Sequence, residues 1–245
     1  MPVLTRTRRR LALAACTAVA IPLTTIAAFA ASTPPSTLPA GSSPVNRPPV
    51  KTIVGGQKVK EGALQYVVKI SGCTASLISP EWVLTARHCM GGQNTVNYGS
   101  VNTSSMKSMR VVKSATHPSI DLALLKLASP IKNIKPVKLA DKNPAVGTEV
   151  KVYGWGMTSK GGGNTSSYLK SAKMKFQSKG EDTYGGAAMF LTGINGGAWK
   201  GDSGGPAIVN GVQVGVCSTG DPSRSNNHYA MVGSGRSWIK KISGV

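Results

Sequence analysis

The chain has 245 residues, of which 40% are hydrophobic and 16% charged, and its formal net charge is +20. This balance excludes a disordered chain, and four cysteines are too few for a disulfide-dense miniprotein. The 29 glycines and 15 prolines favour a turn-rich β protein over a helical bundle. The positive charge suggests a polyanionic partner, such as nucleic acid, an acidic polysaccharide or an anionic membrane surface.

Residues 1–30 predict a secretory signal peptide. Four arginines within residues 6–10 precede an apolar run that begins at Leu11 and ends in the small-x-small sequence Ala28-Phe29-Ala30. A membrane anchor is the alternative, but Pro22 interrupts the run and no second hydrophobic span follows it. We therefore expect an extracellular protein that leaves the membrane once the signal is cleaved. The tandem arginines are compatible with the general and the twin-arginine export routes.

Residues 31–52 predict an extended propeptide or linker, because they are rich in Pro, Ser and Thr and contain no acid. At Ile53 the texture changes to short β-branched runs separated by glycines. We expect the folded domain to span residues 53–245. No internal repeat is visible, so a solenoid or a propeller is not expected.

His88 and Asp121 are candidates for chemistry in the first half of this domain. The chain has three histidines, and His88 lies beside Cys89. Asp121 is the only acid within residues 82–140, and it opens the apolar run 121–127. An unpaired carboxylate is costly to bury, so an acid at the entrance to a buried strand needs a specific partner.

Ser203 is the corresponding candidate in the second half, within the sequence Gly201-Asp202-Ser203-Gly204-Gly205-Pro206. Glycines let the backbone bend so that its N–H groups converge on one point, as the binding of an oxyanion requires. A tight β-turn is the other interpretation of such a sequence. A serine nucleophile also needs a base and an orienting acid, and His88 and Asp121 have the right chemistry.

Taken in order, these segments resemble the trypsin/chymotrypsin family of serine endopeptidases over essentially all of 53–245. The matching motifs are Ile53-Val54-Gly55-Gly56, Thr85-Ala86-Arg87-His88-Cys89, Asp121-Leu122-Ala123-Leu124-Leu125, Gly154-Trp155-Gly156 and Gly201-Asp202-Ser203-Gly204-Gly205-Pro206. The resemblance implies an all-β fold of two six-stranded antiparallel β-barrels, with the site in the cleft between them. The first barrel would span about 53–135 and the second about 145–245, followed by a short C-terminal helix.

The resemblance further implies a secreted hydrolase of peptide bonds. Ser203 would attack the substrate carbonyl, while His88 transfers the proton and Asp121 holds the imidazole. The N–H groups of Gly201 and Ser203 would bind the oxyanion, and Ser218 would support the catalytic aspartate.

The same resemblance implies synthesis as a zymogen. Cleavage before Ile53 would release an α-ammonium that pairs with the buried Asp202 carboxylate and orders the oxyanion site. Thr52 is not a trypsin-type cleavage residue. We therefore predict a mature terminus at Ile53, made by a protease without basic specificity or by trimming after a cut at Lys51.

The cysteines divide into a predicted pair and a single thiol. The resemblance implies a disulfide between Cys73 and Cys89, which the oxidising secretory route would permit. Removal of Cys16 with the signal leaves Cys217 without a partner. A semi-buried free thiol is the favoured interpretation, and a reactive or intermolecularly paired thiol is the alternative.

The specificity pocket differs from that of trypsin-like members. By alignment it is formed by Gly197, Ala198, Lys200, Cys217, Ser218, Thr219, Gly220 and Asn227. Gly197 stands where those members carry the aspartate that binds Arg or Lys, so cleavage after a basic residue is not expected. Asn227 replaces a glycine, which favours small or medium uncharged side chains. Lys200 and His228 near the rim suggest an acidic side chain as the alternative.

We expect a monomer that acts on a protein or peptide and needs no cofactor. The family's calcium loop has no carboxylate here, so no metal site is expected. Residues 1–52 hold six of the 29 cations and no acid, which leaves 23 cations, nine acids and a charge of +14 for 53–245. These cations are not interleaved with aromatic residues, so the pattern predicts weak, salt-dependent polyanion binding and no specific nucleic acid.

A catalytically silent homologue whose basic surface binds polyanions is the alternative function. The presence of all three triad residues and of the glycine-rich oxyanion sequence favours the enzyme. Arg87, which stands beside His88 where the family usually has a small residue, is expected to be a solvated side chain at the barrel rim.

Overall fold

A computed structural model describes residues 56–159, 163–221, 223 and 225–245. The predicted signal peptide, the propeptide and Ile53 lie outside the described residues. The elements in chain order are β1 (Gln57–Lys58), β2 (Val67–Ile70), β3 (Cys73–Ser79), β4 (Trp82–Thr85), β5 (Thr95–Tyr98), β6 (Lys107–Thr116), β7 (Ala123–Leu127), β8 (Lys138–Leu139), β9 (Glu149–Gly154), β10 (Lys170–Glu181), β11 (Ala187–Gly193), β12 (Pro206–Val209), β13 (Val212–Asp221), β14 (Asn226–Met231) and α1 (Val232–Ser243). Two short 3₁₀ turns cover Arg87–Cys89 and Thr103–Ser105.

The first barrel is a closed ring of six strands in the order β2-β3-β4-β7-β6-β5. Every neighbouring pair is antiparallel, and β2 closes the ring on β5 where Lys69 faces Asn97. Strands β4 and β7 are apolar along most of their length because both lie inside the structure, and Leu84 and Leu124 are fully buried.

The second barrel closes in the order β10-β11-β14-β13-β12-β9, since β9 also pairs with β10. Strand β10 shows the pattern that produces this barrel: Ala172, Met174 and Phe176 are buried, while Lys173 and Lys175 between them are exposed. Alternate side chains of a strand point to opposite faces, so one face fills the barrel and the other meets water. Strand β1 extends the sheet beside β10, and β8 adds a short parallel pairing to β13.

Helix α1 follows β14 directly and packs against β7 and β13. Its buried residues are Val232, Gly235 and Ile239, which recur on one face at helical spacing. Gly244 ends the helix in the left-handed conformation, and its N–H donates to the Lys240 carbonyl. The predicted fold of two six-stranded antiparallel barrels and a C-terminal helix is thus confirmed.

Within the described residues, no helix has the length and the apolar character needed to cross a membrane.

Candidate active site

His88 and Asp121 meet at the end of the first barrel. His88 lies in the 3₁₀ turn after β4, and Asp121 lies just before β7. The two strands pair with Thr85 opposite Ala123, so their register brings the two residues together. His88 Nδ1 is 2.7 Å from Asp121 Oδ2, and the His88 N–H donates to Asp121 Oδ1 at 2.9 Å. A carboxylate only accepts, so Nδ1 carries the proton and Nε2 of the neutral ring is left as an acceptor.

The Asp121 carboxyl is fully buried, whereas 28% of the His88 side chain is exposed. Burial by itself raises the pKa of Asp121, but hydrogen bonds from the His88 side chain, the Ser218 hydroxyl and the His88 N–H outweigh it. The pKa of Asp121 therefore lies below its ordinary value. The carboxylate stays charged where it can stabilise an imidazolium.

A disulfide joins Cys73 at the start of β3 to Cys89 at the end of the 3₁₀ turn, as the resemblance implied. It ties the backbone beside His88 to the neighbouring strand. Cys217 is a free thiol that is buried. Burial raises the pKa of this thiol, so it stays protonated and a poor nucleophile at neutral pH.

The loop before β12 carries Ser203 and packs against the first barrel. The Thr74 N–H donates to the Ser203 carbonyl at 2.8 Å, and the Thr74 hydroxyl donates to the Gly201 carbonyl at 3.0 Å. Gly204 has a φ of +78°, and an added Cβ would overlap the Thr85 hydroxyl and the Thr74 carbonyl. Glycine is therefore required for the loop to approach β3 and β4 this closely.

Ser203 thus lies on a loop that packs against β3 and β4, at the end of the barrel where His88 follows β4. Among the described residues no hydrogen bond joins Ser203 Oγ to His88 Nε2, and such bonds are often long before substrate binds. The N–H groups of Gly201 and Ser203 also donate to no described residue. That these two groups bind an oxyanion stays a prediction.

Asp202 is fully buried next to Ser203. Its carboxylate accepts from the Gly156 N–H at 2.7 Å and from the Trp199 N–H at 2.9 Å. Burial raises the pKa of Asp202 to about 7, although these two hydrogen bonds and the charge of Lys69 oppose the rise. No described cation forms an ion pair with this carboxylate.

A cavity of about 170 Å³ opens beside Ser203. Its walls are Ala198, Trp199, Lys200, Ser203, Cys217, Ser218, Thr219, Gly220 and Asn227. The structure therefore brings together seven of the eight residues predicted for the specificity pocket and adds Trp199. Gly197 does not line the cavity, but it lies next to the Asn227 amide.

Asn227 is locked beside this cavity. It is 1% exposed, its Oδ1 accepts from the Ala198 N–H at 2.9 Å, and its Nδ2 donates to the Ala198 carbonyl at 3.0 Å. The Asn227 amide oxygen and nitrogen are therefore both hydrogen-bonded to the backbone of one residue, Ala198. The amide reduces the space in the cavity and brings no charge.

Two side chains near the site lie elsewhere than the sequence suggested. His228 lines a neighbouring cavity with Phe190, and its Nδ1 bonds to the Glu181 carbonyl at 2.6 Å, so it does not face the pocket. Arg87 is not freely solvated: it donates to the Pro118 carbonyl at 2.9 Å, and its guanidinium lies 4.1 Å from the centre of the Tyr184 ring.

Sequence reasoning did not identify Asp182. This residue is buried, and its Oδ2 accepts from the Asp121 N–H at 2.8 Å. The signal available in the sequence was weak: an acid three residues before a Gly-Gly pair, which is an ordinary turn pattern.

Comparison with known proteins places this geometry among proteases. The model of the trypsin family matches residues 53–239. Human "Serine protease 1" is 31% identical over 217 residues, which cover 77% of this chain and 88% of that protein. The pig protein "Trypsin" is 30% identical over 218 residues, or 77% and 94% of the two chains. The solved structure of neuropsin, a serine protease of mouse brain, has a TM-score of 0.68 at 26% identity and covers 76% of this chain and 97% of its own.

Proposed function

The chain belongs to the trypsin family of serine proteases, and from that premise we propose that it hydrolyses peptide bonds with Ser203, His88 and Asp121. The observation that carries the proposal is the buried Asp121 carboxylate, which is bonded to His88 Nδ1 at 2.7 Å and leaves Nε2 to accept a proton. Ser203 lines the adjacent cavity, where a substrate side chain would bind.

In the proposed reaction, Ser203 Oγ attacks the carbonyl carbon while His88 Nε2 takes its proton. The resulting imidazolium is stabilised by Asp121, and the oxyanion is held by the N–H groups of Gly201 and Ser203. His88 then donates the proton to the leaving amine, which leaves an acyl-enzyme. Water attacks this ester with His88 as the base, so that Ser203 is regenerated with its proton.

Labelling by a fluorophosphonate probe tests the proposal. The processed protein should be modified at Ser203, and Ser203→Ala should lose both the label and peptidase activity. Ser218→Thr is the control, because it changes another serine of the same cavity and keeps its hydroxyl. This variant should still be labelled at Ser203. If the processed, folded protein takes up no label, the proposed peptidase activity is refuted. Polyanion binding by a catalytically silent homologue would then be the function that remains.

We propose that the preferred residue before the scissile bond is small or medium and uncharged. Among the described residues no carboxylate lines the cavity that would receive it, and the Asn227 amide is fixed against the Ala198 backbone. His228 faces a different cavity, so Lys200 is the one described cation in the walls and only half of the support for an acidic side chain remains.

A peptide library that varies this position tests the pocket. Asn227→Gly should raise kcat/KM for Leu or Phe relative to Ala by about 10-fold or more, because a pocket gains roughly that factor per methylene it admits. Asn226→Gly is the matched control, since Asn226 lies on the neighbouring cavity. Strong cleavage after Arg or Lys by the unaltered enzyme would contradict the proposed preference.

We also propose that cleavage before Ile53 activates the enzyme through a pair between its α-ammonium and Asp202. Ile53 lies outside the described residues, and the support is a buried carboxylate that has no described cationic partner. Mass analysis of the active protein should find Ile53 at its terminus. A stable, active form that begins at Thr52 would contradict this.

The predicted signal peptide, also outside the described residues, supports secretion, and the +14 charge of residues 53–245 supports weak polyanion binding. Retention of the processed protein on an anionic matrix should fall steeply as salt is added. Retention that does not change with salt would contradict an electrostatic origin.

A further inference from the structure

The tip of the β10–β11 hairpin, residues Asp182–Gly186, is a tightly closed turn. The Asp182 N–H donates to the Gly186 carbonyl at 2.8 Å, and the Gly185 N–H donates to the Asp182 carbonyl at 3.0 Å. Gly185 has a φ of +77°, as a hairpin with one left-handed residue requires. The tip therefore has a fixed shape, although it belongs to the second barrel and Asp121 belongs to the loop before β7 of the first.

The Asp182 carboxylate links the tip to Asp121. Its Oδ1 accepts from the N–H groups of Tyr184 and Gly186, each at 2.9 Å, which holds the carboxylate in the turn. Its Oδ2 accepts from the Asp121 N–H at 2.8 Å. Asp182 is 7% exposed, so all three bonds are made with little competition from water.

A second route runs from the tip to the Asp121 side chain. The Thr183 N–H donates to the Ser218 hydroxyl at 3.2 Å. A hydroxyl that accepts a hydrogen bond can still donate its own proton, and the Ser218 hydroxyl is among the groups that lower the pKa of the Asp121 carboxyl. The tip thus constrains Asp121 at its backbone and, through Ser218, at its carboxylate.

Packing around the tip leaves little freedom for the loop that carries Asp121. A Cβ added to Gly186 would lie 2.6 Å from the Ser119 carbonyl oxygen and 2.7 Å from Ile120 Cα. On the other side, Arg87 stacks on Tyr184 and donates to the Pro118 carbonyl. The loop 117–121 is held between the hairpin tip and the residue that precedes His88.

We propose that Asp182 is a positioning residue for the serine protease reaction, which fixes the Asp121 carboxylate against His88 Nδ1. The inference rests on the proposed triad. Among the described residues, the titratable and charged groups around this region are His88, Arg87, His117 and the two carboxylates. Asp182 is bonded to Asp121 and Asp121 to His88, so the effect of Asp182 reaches the imidazole through Asp121.

The test compares Asp182→Asn with Glu181→Gln in processed enzyme made from the full chain. Both variants remove one carboxylate from the same hairpin, but Glu181 is exposed and its side chain forms no described bond to the site. Asparagine keeps the shape and one acceptor, for which the Tyr184, Gly186 and Asp121 N–H groups must then compete. Rates are expressed per active site titrated with a fluorophosphonate, and thermal unfolding is followed in parallel.

Asp182→Asn should lower kcat about 10²-fold with little change in KM, because a misplaced catalytic group costs roughly that factor. The acid limb of its kcat/KM profile should move about 0.5 pH unit to lower pH, since a weakened charge-assisted bond stabilises the imidazolium less. Asp182→Ala should show a larger loss of kcat wherever it folds. Glu181→Gln should match the unaltered enzyme.

Equal kcat and equal acid limbs in Asp182→Asn and Glu181→Gln would overturn the proposal, as would a variant that loses only thermal stability or titratable sites. Failure of the triad itself has a different signature. In that case the unaltered protein would take no label at Ser203, whatever residue stands at position 182.

Discussion

The loop before β7, which carries Asp121, and the loop before β12, which carries Asp202, each bury an aspartate completely, yet the pKa values of these aspartates move in opposite directions. Asp121 receives hydrogen bonds from His88 through its ring and its N–H and from the Ser218 hydroxyl, and its pKa falls. Asp202 receives only the N–H groups of Trp199 and Gly156, with Lys69 as a weaker influence, and its pKa rises to about 7.

The comparison shows that burial fixes only the cost of the charge, while the donors and cations around it decide whether the charge is kept. The surroundings of Asp121 are complete in the chain as it stands. Among the described residues Asp202 has no cation within ion-pair distance, and the proposed α-ammonium of Ile53 would supply one. The predictions that follow test this contrast between a complete and an incomplete carboxylate site.

Asp121→Asn should have the largest effect. An amide in this place favours the wrong tautomer of His88, and the loss in kcat for triads of this kind is established at about 10⁴-fold. The measurement is kcat per titrated Ser203. Glu149→Gln, a half-exposed acid on β9, is the control. A loss below 10-fold would show that Asp121 is not the orienting acid.

Asp202→Asn should reduce kcat/KM of the processed enzyme by on the order of 10³-fold, because removing one partner of a buried pair costs about 3–5 kcal/mol. The α-ammonium of Ile53 would then have no carboxylate to pair with in the buried site. Full activity of Asp202→Asn with an Ile53 terminus would separate activation from this pair.

The uncleaved chain should lose stability as pH rises, which can be measured in a Ser203→Ala background that cannot process itself. The folded pKa of Asp202, about 7, lies above its ordinary value of 3.8, so the folded state holds the proton more tightly. The stabilisation that the protonated Asp202 carboxyl provides is therefore complete below about pH 4 and is lost as pH rises through about 7. The free energy of unfolding should fall by on the order of 4 kcal/mol across this range.

Asp202→Asn should remove this dependence, and the difference between the two proteins between pH 5 and pH 8 isolates it. Asp121 adds little to the change of stability between pH 5 and pH 8. Its pKa is lowered, so its stabilising effect is complete at any pH well above its ordinary pKa of 3.8. Burial lowers the pKa of His117, which gives a slope of the opposite sign in both proteins. Identical denaturant midpoints of the two proteins across the window would contradict the raised pKa of Asp202.

Ser218→Ala should have the smallest effect, about a 10-fold decrease in kcat, since it removes one hydrogen bond to a charged group. His88 remains bonded to Asp121 in this variant, so the carboxylate site stays largely complete. Thr219 lines the same cavity and has no described bond to Asp121, so Thr219→Ala is the control. Equal rates in the two variants would show that Ser218 does not support the aspartate.

The sequence anticipated the two-barrel fold and indicated the candidate site residues His88, Asp121 and Ser203, because their signals are local or carried by motifs. Asp121 stood out because it is the only acid within residues 82–140 and because it opens an apolar run. Alignment with the family indicated the Cys73–Cys89 disulfide. The two-barrel architecture followed from the same resemblance. Seven of the eight residues predicted for the specificity pocket line one cavity together with Trp199, and Gly197 lies next to the Asn227 amide; that a substrate side chain binds there stays a prediction.

Other features depended on which backbone groups meet across the fold. Nothing local to Arg87 indicates that Tyr184 lies over it, because the two residues come from different barrels. Likewise, alignment with the family shows that Asn227 replaces a glycine, but not that its amide bonds to the backbone N–H and carbonyl of Ala198. Such contacts depend on strand register and hairpin length, and a shift by one residue would turn each side chain to the other face.

The sequence by itself indicated the class of enzyme, the candidate triad and the absence of an acid where trypsin-like members bind basic residues, because these follow from motifs in the order of a known family and from alignment with it. Only the tertiary structure decided the opposite pKa shifts of Asp121 and Asp202 and the link from Asp182 to the Asp121 N–H. The pKa shifts arise from burial and from the donors around each carboxyl, and the Asp182 link joins residues 61 positions apart, so all of them depend on how distant segments pack.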